Sequence, residues 1–315
     1  MQNFTTEKPP SLLNNTIHII RKEGILPLFR KAIMRITGQK PLREFDELKH
    51  YFCGKRGLEI GGPSRIFAGR SLLPIYSLVA SCDNCNFSHN TVWQGNVKEG
   101  MTFRYHSKKP AGYQFIRDAC NLTGIDSESY DFVISSHLIE HVANPLKAMY
   151  EWKRVLRTNG IIITVAPHKE QTFDHRRPIT TLNHLIDDYT KGLTEDDLSH
   201  LPEILGLHDL PRDPEAGSYE QFLARSKRNF ENRCLHHHVF VTESWINICD
   251  YLNLEILCIA AALPFHIVAI GRKLNENAEN LISLHESNAQ LLKPDARWRQ
   301  CSPFRLEKVN TGSNG

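Results

Sequence analysis

Short apolar runs alternate with amphipathic stretches along the middle of this chain. Each run has the length and side chains of a buried strand, and turn residues separate the runs. We predict five strands in the first part of the chain: residues 57–60, 77–83, 114–118, 130–136 and 161–166. Two later runs, residues 254–262 and 265–270, are joined by Leu263 and Pro264 and predict a hairpin.

Helices are predicted between these strands. Asn144 and Pro145 are typical of a cap and a first helical turn, and Asn159 with Gly160 would end that helix. Thr242 would cap a second helix that runs through Leu252. The pattern therefore predicts an α/β fold with a doubly wound, mostly parallel, seven-stranded Rossmann-like sheet. The late hairpin would add an antiparallel strand.

The chain divides into segments of different composition. The segment 1–50 contains a basic amphipathic stretch at 16–37, which is interpreted either as a helical lid or as a contact with an anionic membrane. We assign 51–167 and 239–273 to the sheet domain and 274–315 to a polar tail. The segment 168–238, rich in His and Asp, is too long for an ordinary loop and predicts a substrate-binding lid.

Composition narrows the class of protein. The 315 residues are 41% hydrophobic with a formal net charge of +3, which does not suggest nucleic-acid binding. No apolar run reaches the roughly 18 residues of a membrane span, and the first ten residues are unlike a secretory signal. The scattered cysteines suggest reduced thiols. We therefore expect a cytoplasmic protein, with peripheral membrane contact as an option.

The turn after the first strand is the most specific local feature. Glu59 precedes Gly61, Gly62 and Pro63, so the backbone can approach a ligand closely there. Proline removes a backbone donor that a pyrophosphate would use, which disfavours a nicotinamide-dependent dehydrogenase. No Gly-Lys-Ser/Thr sequence is present, which disfavours an ATP-binding loop. Carboxylates at Asp83 and Asp118 suit ribose hydroxyls and an adenine amino group.

These motifs together resemble those of class I S-adenosylmethionine-dependent methyltransferases, in order and in spacing. The matching segments are 58–64, 83–84, 118–119, 130–142 and 154–160, and the likeness covers about half of the chain. It implies S-adenosyl-L-methionine as the cofactor. The cofactor-binding residues that the resemblance and the turn indicate are Glu59, Gly61, Gly62, Asp83, Asn84, Asp118, Ala119, Ser136 and His137.

The chain is also similar to the type 11 group of bacterial methyltransferases that accompany glycosyltransferases in surface-polysaccharide pathways. The similarity rests on the insertion, above all residues 167–169, 172–178 and 236–240. It implies O-methylation of a sugar hydroxyl, on a saccharide or an activated sugar. The alternatives are another small molecule or a lipid head group as acceptor, and a non-catalytic partner of a glycosyltransferase.

A sugar hydroxyl has a high pKa, so its methylation needs a base or a metal. Eight of the sixteen histidines fall between His168 and His238. We predict His168 or His175 as the base, with His237 third, and Asp174, Arg176 and Arg177 as substrate-binding residues. Asp174, His175 and the triplet 236–238 could instead bind a divalent ion. Because adjacent side chains of an extended triplet alternate sides, we assign no metal.

Overall fold

One mixed sheet of eight strands organises residues 40–275 and 277–308, which the computed structural model describes. The strands are β1 (Arg56–Ile60), β2 (Ser81–Asn86), β3 (Gly100–Phe103), β4 (Gly112–Ile116), β5 (Tyr130–Ser136), β6 (Leu156–Pro167), β7 (Leu254–Ala262) and β8 (His266–Lys273). Their order in the sheet is β3-β4-β2-β1-β5-β6-β8-β7. The strands β2 to β4 therefore lie on one side of β1, and the strands from β5 onward lie on its other side. This switch in strand order falls between β1 and β5, and ligands bind at such switch points in open α/β sheets.

Pairing within the sheet is parallel at its centre and antiparallel at both margins. β1 pairs in parallel with β2 and β5, and β4 and β6 extend the parallel part outward. β8 is antiparallel to both β6 and β7, which confirms the predicted hairpin. The predicted number of seven strands is wrong by one, because β3 adds an antiparallel edge. Met101 in β3 is 65% exposed and only Phe103 is buried, so this edge strand has no apolar run to reveal it.

The helices of the described residues are mostly short. They are α1 (Phe45–Leu48), α2 (Pro145–Val155), α3 (Leu182–Lys191), α4 (Leu201–Leu207), α5 (Tyr219–Lys227), α6 (Asn229–Asn232), α7 (Thr242–Tyr251), α8 (Ala278–Leu291) and α9 (Arg297–Cys301). Asn144 caps α2 as predicted, since its side chain accepts from the Lys147 N–H. The predicted end at Asn159 and Gly160 is wrong, because β6 already begins at Leu156.

The two faces of the sheet are covered differently. Trp152 of α2 and Trp245 of α7 are buried against one face. On the other face, among the described residues, no α-helix lies between β1 and β4 along the chain; the short α1, a 3-10 turn and irregular chain cover it, with Phe52, Phe67 and Tyr76 buried. The predicted alternation of strands and helices therefore holds on one side only. Aromatic side chains bury this face without helical periodicity.

The insertion and the tail both pack onto the sheet domain. Residues 168–238 form α3 to α6, with a small cluster of their own at Ile204, Ala216, Phe222 and Leu235. The tail returns to the domain at Glu307, which is 2% exposed. Its Oε1 lies 3.1 Å from His168 Nε2 and accepts from the Thr242 N–H at 2.6 Å. Thr242 is thus the first residue of α7 and not its cap.

The predicted basic segment 16–37 lies outside the described residues. Within the described part of the chain, no helix combines the length and apolar character that a bilayer crossing requires.

Candidate active site

A cavity of about 1510 Å³ opens at the carboxyl ends of the central strands. Residues that follow β1, β2, β4 and β5 form one wall, and the segment between β2 and β4 forms another. The insertion contributes a third wall, which includes Glu170, Phe173, Arg212, Arg233 and His236. The insertion therefore adjoins the same cavity as the glycine turn, as a substrate-binding element would.

The glycine turn brings backbone to the cavity wall at Gly61 and Pro63. Gly61 has φ +84°, and a Cβ there would lie 2.4 Å from the Leu138 side chain. A Cβ on Gly62 would lie 2.1 Å from the Glu59 carboxyl carbon. Both positions therefore require glycine, one to reach the cavity and one to pack on the carboxylate beneath it.

Glu59 lies behind this turn and not on the cavity wall. Its carboxylate is fully buried, accepting from the Ser64 N–H at 3.0 Å and from the Tyr76 hydroxyl at 2.6 Å. Burial raises the pKa of Glu59 to about 7, against the lowering effect of the hydrogen bonds from Tyr76 and Ser64. The geometry gives Glu59 the part of an anchor for the turn, and the predicted direct contact with the cofactor is not seen.

Asn84 also holds the turn from behind. Its Oδ1 accepts from the Gly62 N–H at 2.8 Å, and its Nδ2 donates to the Gly62 carbonyl at 3.1 Å and to Gln114 at 2.8 Å. With no exposed surface, Asn84 does not reach the cavity, and neither does Gly62. These two predicted cofactor-binding residues are therefore placed in the supporting layer.

Asp83 is displaced by a shift of the whole strand. β2 runs three residues further than predicted, so Asp83 lies in the middle of the strand opposite Leu58. Its carboxylate accepts from the Arg56 side chain, the Tyr130 hydroxyl and the Tyr113 N–H at 2.7–2.9 Å. Asp83 therefore cannot meet a ribose. Asn86, the last residue of β2, occupies the cavity wall instead.

The remaining predicted cofactor residues do line the cavity: Asp118, Ala119, Ser136 and His137, together with Gly61. Asp118 accepts from the Cys120 N–H at 2.8 Å and from Arg233 of the insertion at 3.2 Å. His137 has φ +50°, and its Nε2 lies 2.9 Å from His266 Nδ1. Burial lowers the pKa of His266 to about 3, so this neighbour is uncharged at neutral pH.

None of the three predicted bases lies on the cavity wall. His168 is fully buried, with Nε2 bonded to Glu307 and Nδ1 accepting from the Glu170 N–H. His175 pairs with Asp209 at 2.9 Å. His237 is 1% exposed, and its Nε2 lies 3.0 Å from Asn229 Nδ2. Each ring is already bonded within the insertion or its junction with the sheet, which fits a structural part.

The predicted substrate-binding residues also lie outside the cavity wall. Arg177 is 1% exposed and donates to Asp174, to Glu203 and to the carbonyls of His236 and His237. Arg176 forms an ion pair with Asp209 at 3.2 Å. Arg177 is therefore the centre of the insertion's polar core, and a phosphate could not reach it.

Sequence reasoning missed further residues that face the cavity, and it named His236 only as part of a possible metal-binding triplet. In the first group, Glu140 and His141 follow β5, and His236 belongs to the insertion. The second group, Trp93, Lys98 and Arg104, comes from the segment between β2 and β4. Glu140 and His141 lie inside the matched motif 130–142, and His236 opens the histidine triplet. The second group sits in irregular chain, and no sequence pattern points to it.

Comparison with known proteins identifies the domain that carries this cavity. Residues 77–164 match the family described as "Methyltransferase domain", a span that covers β2 to most of β6. The chain contains a methyltransferase domain. The protein is accordingly an enzyme, and S-adenosylmethionine is its cofactor. No curated protein matches the sequence significantly.

Several solved structures are similar to this chain at low identity. A methyltransferase from Mesorhizobium loti is 12% identical, with 73% of this chain and 97% of that chain covered and a TM-score of 0.43. One from Methanosarcina mazei is 15% identical over 73% and 98%, with a TM-score of 0.40. One from Aquifex aeolicus is 10% identical over 74% and 90%, with a TM-score of 0.36. Likeness this remote assigns neither a substrate nor a site residue.

The strand ends fit the cofactor chemically. Gly61 offers bare backbone, Asn86 an amide that can bind ribose hydroxyls, and Asp118 a carboxylate that can accept from an adenine amino group. These residues come from β1, β2 and β4, at the switch in strand order where such ligands bind. The methyl donor supplies an electrophilic sulfonium carbon. The protein must bind it, align an acceptor and exclude water.

Proposed function

We propose that this methyltransferase methylates a hydroxyl group of a saccharide or an activated sugar. In this proposal Gly61, Asn86, Asp118, Ser136 and His137 bind the cofactor. Asn86 takes the ribose role that the sequence assigns to Asp83.

The size and lining of the cavity carry the proposal. Its volume of about 1510 Å³ exceeds the roughly 300–1,000 Å³ of ordinary small-ligand sites, which leaves room for an acceptor beside the cofactor. Trp93, which is 57% exposed, lines the cavity, and its ring centroid lies 5.2 Å from that of His141. An exposed indole face suits the apolar face of a sugar ring.

Cations that line the cavity favour an acceptor that carries negative charge. Lys98 and Arg104 lie on the segment between β2 and β4, and Arg212 lies on the insertion. Guanidinium and ammonium groups bind phosphate oxygens well, so these side chains would suit the phosphate of an activated sugar. The combination of an indole and cations is the observation that favours a charged saccharide over a purely apolar acceptor.

The reaction is an in-line displacement. The acceptor oxygen forms a bond to the methyl carbon while the sulfur–carbon bond breaks, and sulfur keeps that electron pair. Alignment within about 3–3.5 Å supplies much of the rate enhancement. The hydroxyl proton must leave as the bond forms. We place this step beside Glu140, His141 and His236, which line the cavity, because the predicted bases do not reach it.

The test begins with calorimetry of S-adenosylhomocysteine binding to the full chain. Incubation with a panel of saccharides and nucleotide sugars, followed by mass spectrometry, should give a product heavier by one methylene. Trp93→Ala should raise KM for that acceptor severalfold without changing the dissociation constant of S-adenosylhomocysteine. Tyr219→Ala removes an exposed aromatic away from the cavity and should change neither. Acceptance of apolar molecules alone would contradict the proposal.

We further propose, from the sequence resemblance, that the enzyme acts beside a glycosyltransferase in surface-polysaccharide synthesis. From the basic amphipathic pattern of segment 16–37, we propose that this segment contacts an anionic membrane. Flotation of the full chain with anionic and neutral vesicles tests the membrane contact. The unaltered chain should float with the anionic vesicles and not with the neutral ones. A variant with Gln in place of Arg21, Lys22, Arg30, Lys31 and Arg35 should no longer float with the anionic vesicles.

A further inference from the structure

We infer that Glu140, His141 and His236 form a site for a divalent transition-metal cation on the acceptor side of the cavity. One donor atom from each side chain lies within 4.8 Å of the other two. All three residues line the cavity. Two imidazoles and one carboxylate are a donor set that suits Mn²⁺, Fe²⁺ or Zn²⁺. This inference revises the assignment of no metal made from the sequence.

Both histidines are held in the orientation that a metal ligand needs. His236 Nδ1 lies 2.5 Å from Asp174 Oδ2, and His141 Nδ1 lies 3.1 Å from the Leu235 carbonyl oxygen. Each oxygen accepts the Nδ1 proton, which leaves the Nε2 lone pair unprotonated in the neutral ring. Within the described residues, Nε2 of neither histidine makes a hydrogen bond. Asp174 is thus an orienting residue behind a ligand.

The Glu140 carboxylate gives an independent reason to expect a cation. The residue is 1% exposed, and its Oε2 has no hydrogen-bond partner among the described residues. Its Oε1 faces only imidazoles, His137 Nδ1 at 3.6 Å and His141 Nε2 at 4.0 Å. A buried carboxylate oxygen without a donor is costly. A bound cation would remove that cost.

Coordination needs little movement. Neighbouring ligand atoms around a metal at about 2.1 Å lie about 3–3.5 Å apart. The 4.0 Å between Glu140 Oε1 and His141 Nε2 is within about 1 Å of that spacing. Three protein ligands leave coordination positions open toward the cavity, as in catalytic metal sites.

The catalytic part of the inference rests on the proposed function. Neighbouring hydroxyl oxygens of the acceptor would fill the open positions, and the metal would lower the pKa of the reacting hydroxyl. The O–H bond breaks and its proton leaves to water. The oxygen then attacks the methyl carbon, the sulfur–carbon bond breaks, and the sulfonium becomes a neutral thioether. No oxidant or reductant is needed.

Metal binding is tested without reference to turnover. The full chain, stripped with a chelator, is titrated with Mn²⁺ and followed by electron paramagnetic resonance, which should show a bound ion. Glu140→Gln and His141→Asn should each weaken this binding at least tenfold. Glu170→Gln alters another carboxylate of the cavity wall, outside the cluster, and should bind Mn²⁺ as the unaltered chain does.

S-adenosylhomocysteine calorimetry on the same samples separates the two proposals. Retained cofactor binding shows that Glu140→Gln is folded, so a loss of Mn²⁺ binding is then specific. If the unaltered chain binds S-adenosylhomocysteine but no Mn²⁺, or if the variants bind Mn²⁺ with unchanged affinity, the metal site is overturned. Failure to bind S-adenosylhomocysteine would instead overturn the proposed cofactor site.

A separate cluster leads to a second proposal: His184, Asp188, His200 and His238 bind a structural Zn²⁺ inside the insertion. One donor atom from each of these four residues lies within 4.8 Å of the others. His184 Nε2 is 2.7 Å from His200 Nε2 and 3.3 Å from Asp188 Oδ2, which lies 3.8 Å from His238 Nε2. Ligand atoms of a tetrahedral zinc site are about 3.4 Å apart.

A buried carboxylate oxygen without a hydrogen bond supports this second site. Asp188 is 3% exposed, and its Oδ2 makes no hydrogen bond among the described residues. A zinc ion would join α3, the start of α4 and the segment 236–238, across a region with a small apolar cluster. Its contribution would therefore be to the stability of the insertion.

Elemental analysis after reconstitution with Zn²⁺ tests this site. Asp188→Asn should hold one zinc equivalent per chain less than the unaltered protein. A chelator should speed cleavage of the insertion by a protease in the unaltered protein and have no further effect on this cleavage in Asp188→Asn. Asp187→Asn, at the adjacent exposed position, should retain the zinc. Zinc content that is the same in Asp188→Asn and Asp187→Asn overturns the proposal. Glu140→Gln should keep this zinc, which separates the two sites.

Discussion

Replacing Glu59 by Gln should remove a pH-dependent loss of stability that the unaltered chain carries. Burial raises the pKa of this carboxyl from 4.5 to about 7. One pKa unit corresponds to about 1.4 kcal/mol, so a rise in pKa from 4.5 to about 7 changes the free energy of unfolding by about 3 kcal/mol. Between these pH values the folded state holds a proton that the unfolded state has lost. The free energy of unfolding therefore falls as pH rises from 4.5 to about 7.

Urea denaturation followed by far-UV circular dichroism, repeated from pH 4.5 to 8, measures this effect. The free energy of unfolding of the unaltered chain, minus that of Glu59→Gln, should fall by about 3 kcal/mol across the range. Other titrating groups cancel in the difference. The two neighbours of the carboxyl, Tyr76 and Cys82, do not titrate in this range because burial raises their pKa values. Parallel stability curves for the two proteins would refute the reasoning.

Three further predictions concern the residues around the cofactor site and the tail. Gly62→Ala places a Cβ 2.1 Å from the Glu59 carboxyl carbon and should weaken S-adenosylhomocysteine binding at least tenfold, measured by calorimetry. Asn86→Ala should weaken that binding severalfold. Asp83→Ala should leave cofactor binding unchanged and lower the free energy of unfolding by about 2–3 kcal/mol. If Asp83→Ala weakens binding and Asn86→Ala does not, Asp83 binds the ribose after all. Glu307→Ala leaves the His168 and Thr242 donors unpaired and should lower the melting temperature by several degrees, since about 2 kcal/mol is lost.

Local sequence patterns determined most of the sheet. β5 falls where the apolar run 130–136 predicts it, and α2 begins at its Asn144 cap, because both depend on neighbouring residues. The glycine turn could also be recognised from the sequence, because a Cβ at Gly61 or Gly62 would clash with a neighbouring side chain and only glycine fits there. The matched methyltransferase span covers the same region, so the cofactor could be inferred from sequence alone.

Tertiary structure decided which polar side chains reach the cavity. Asp83, at the end of a predicted strand, became a mid-strand residue when β2 moved by three positions, and that shift exchanged it for Asn86. His168, His175 and His237 have the chemistry of a base, but their partners, Glu307, Asp209 and Asn229, lie 139, 34 and 8 residues away. Such pairings depend on how the insertion folds back on the sheet.

The histidine triplet shows the same limit in a single segment. Sequence establishes that adjacent side chains of an extended segment point to different sides. Only the packing of the insertion sends His236 to Glu140 and His141 at the cavity, and His238 to His184, Asp188 and His200. The residues available for chemistry were therefore set by the sequence. Their assignment to a cavity or to a closed cluster was set by contacts between segments far apart in the chain, which no local pattern encodes.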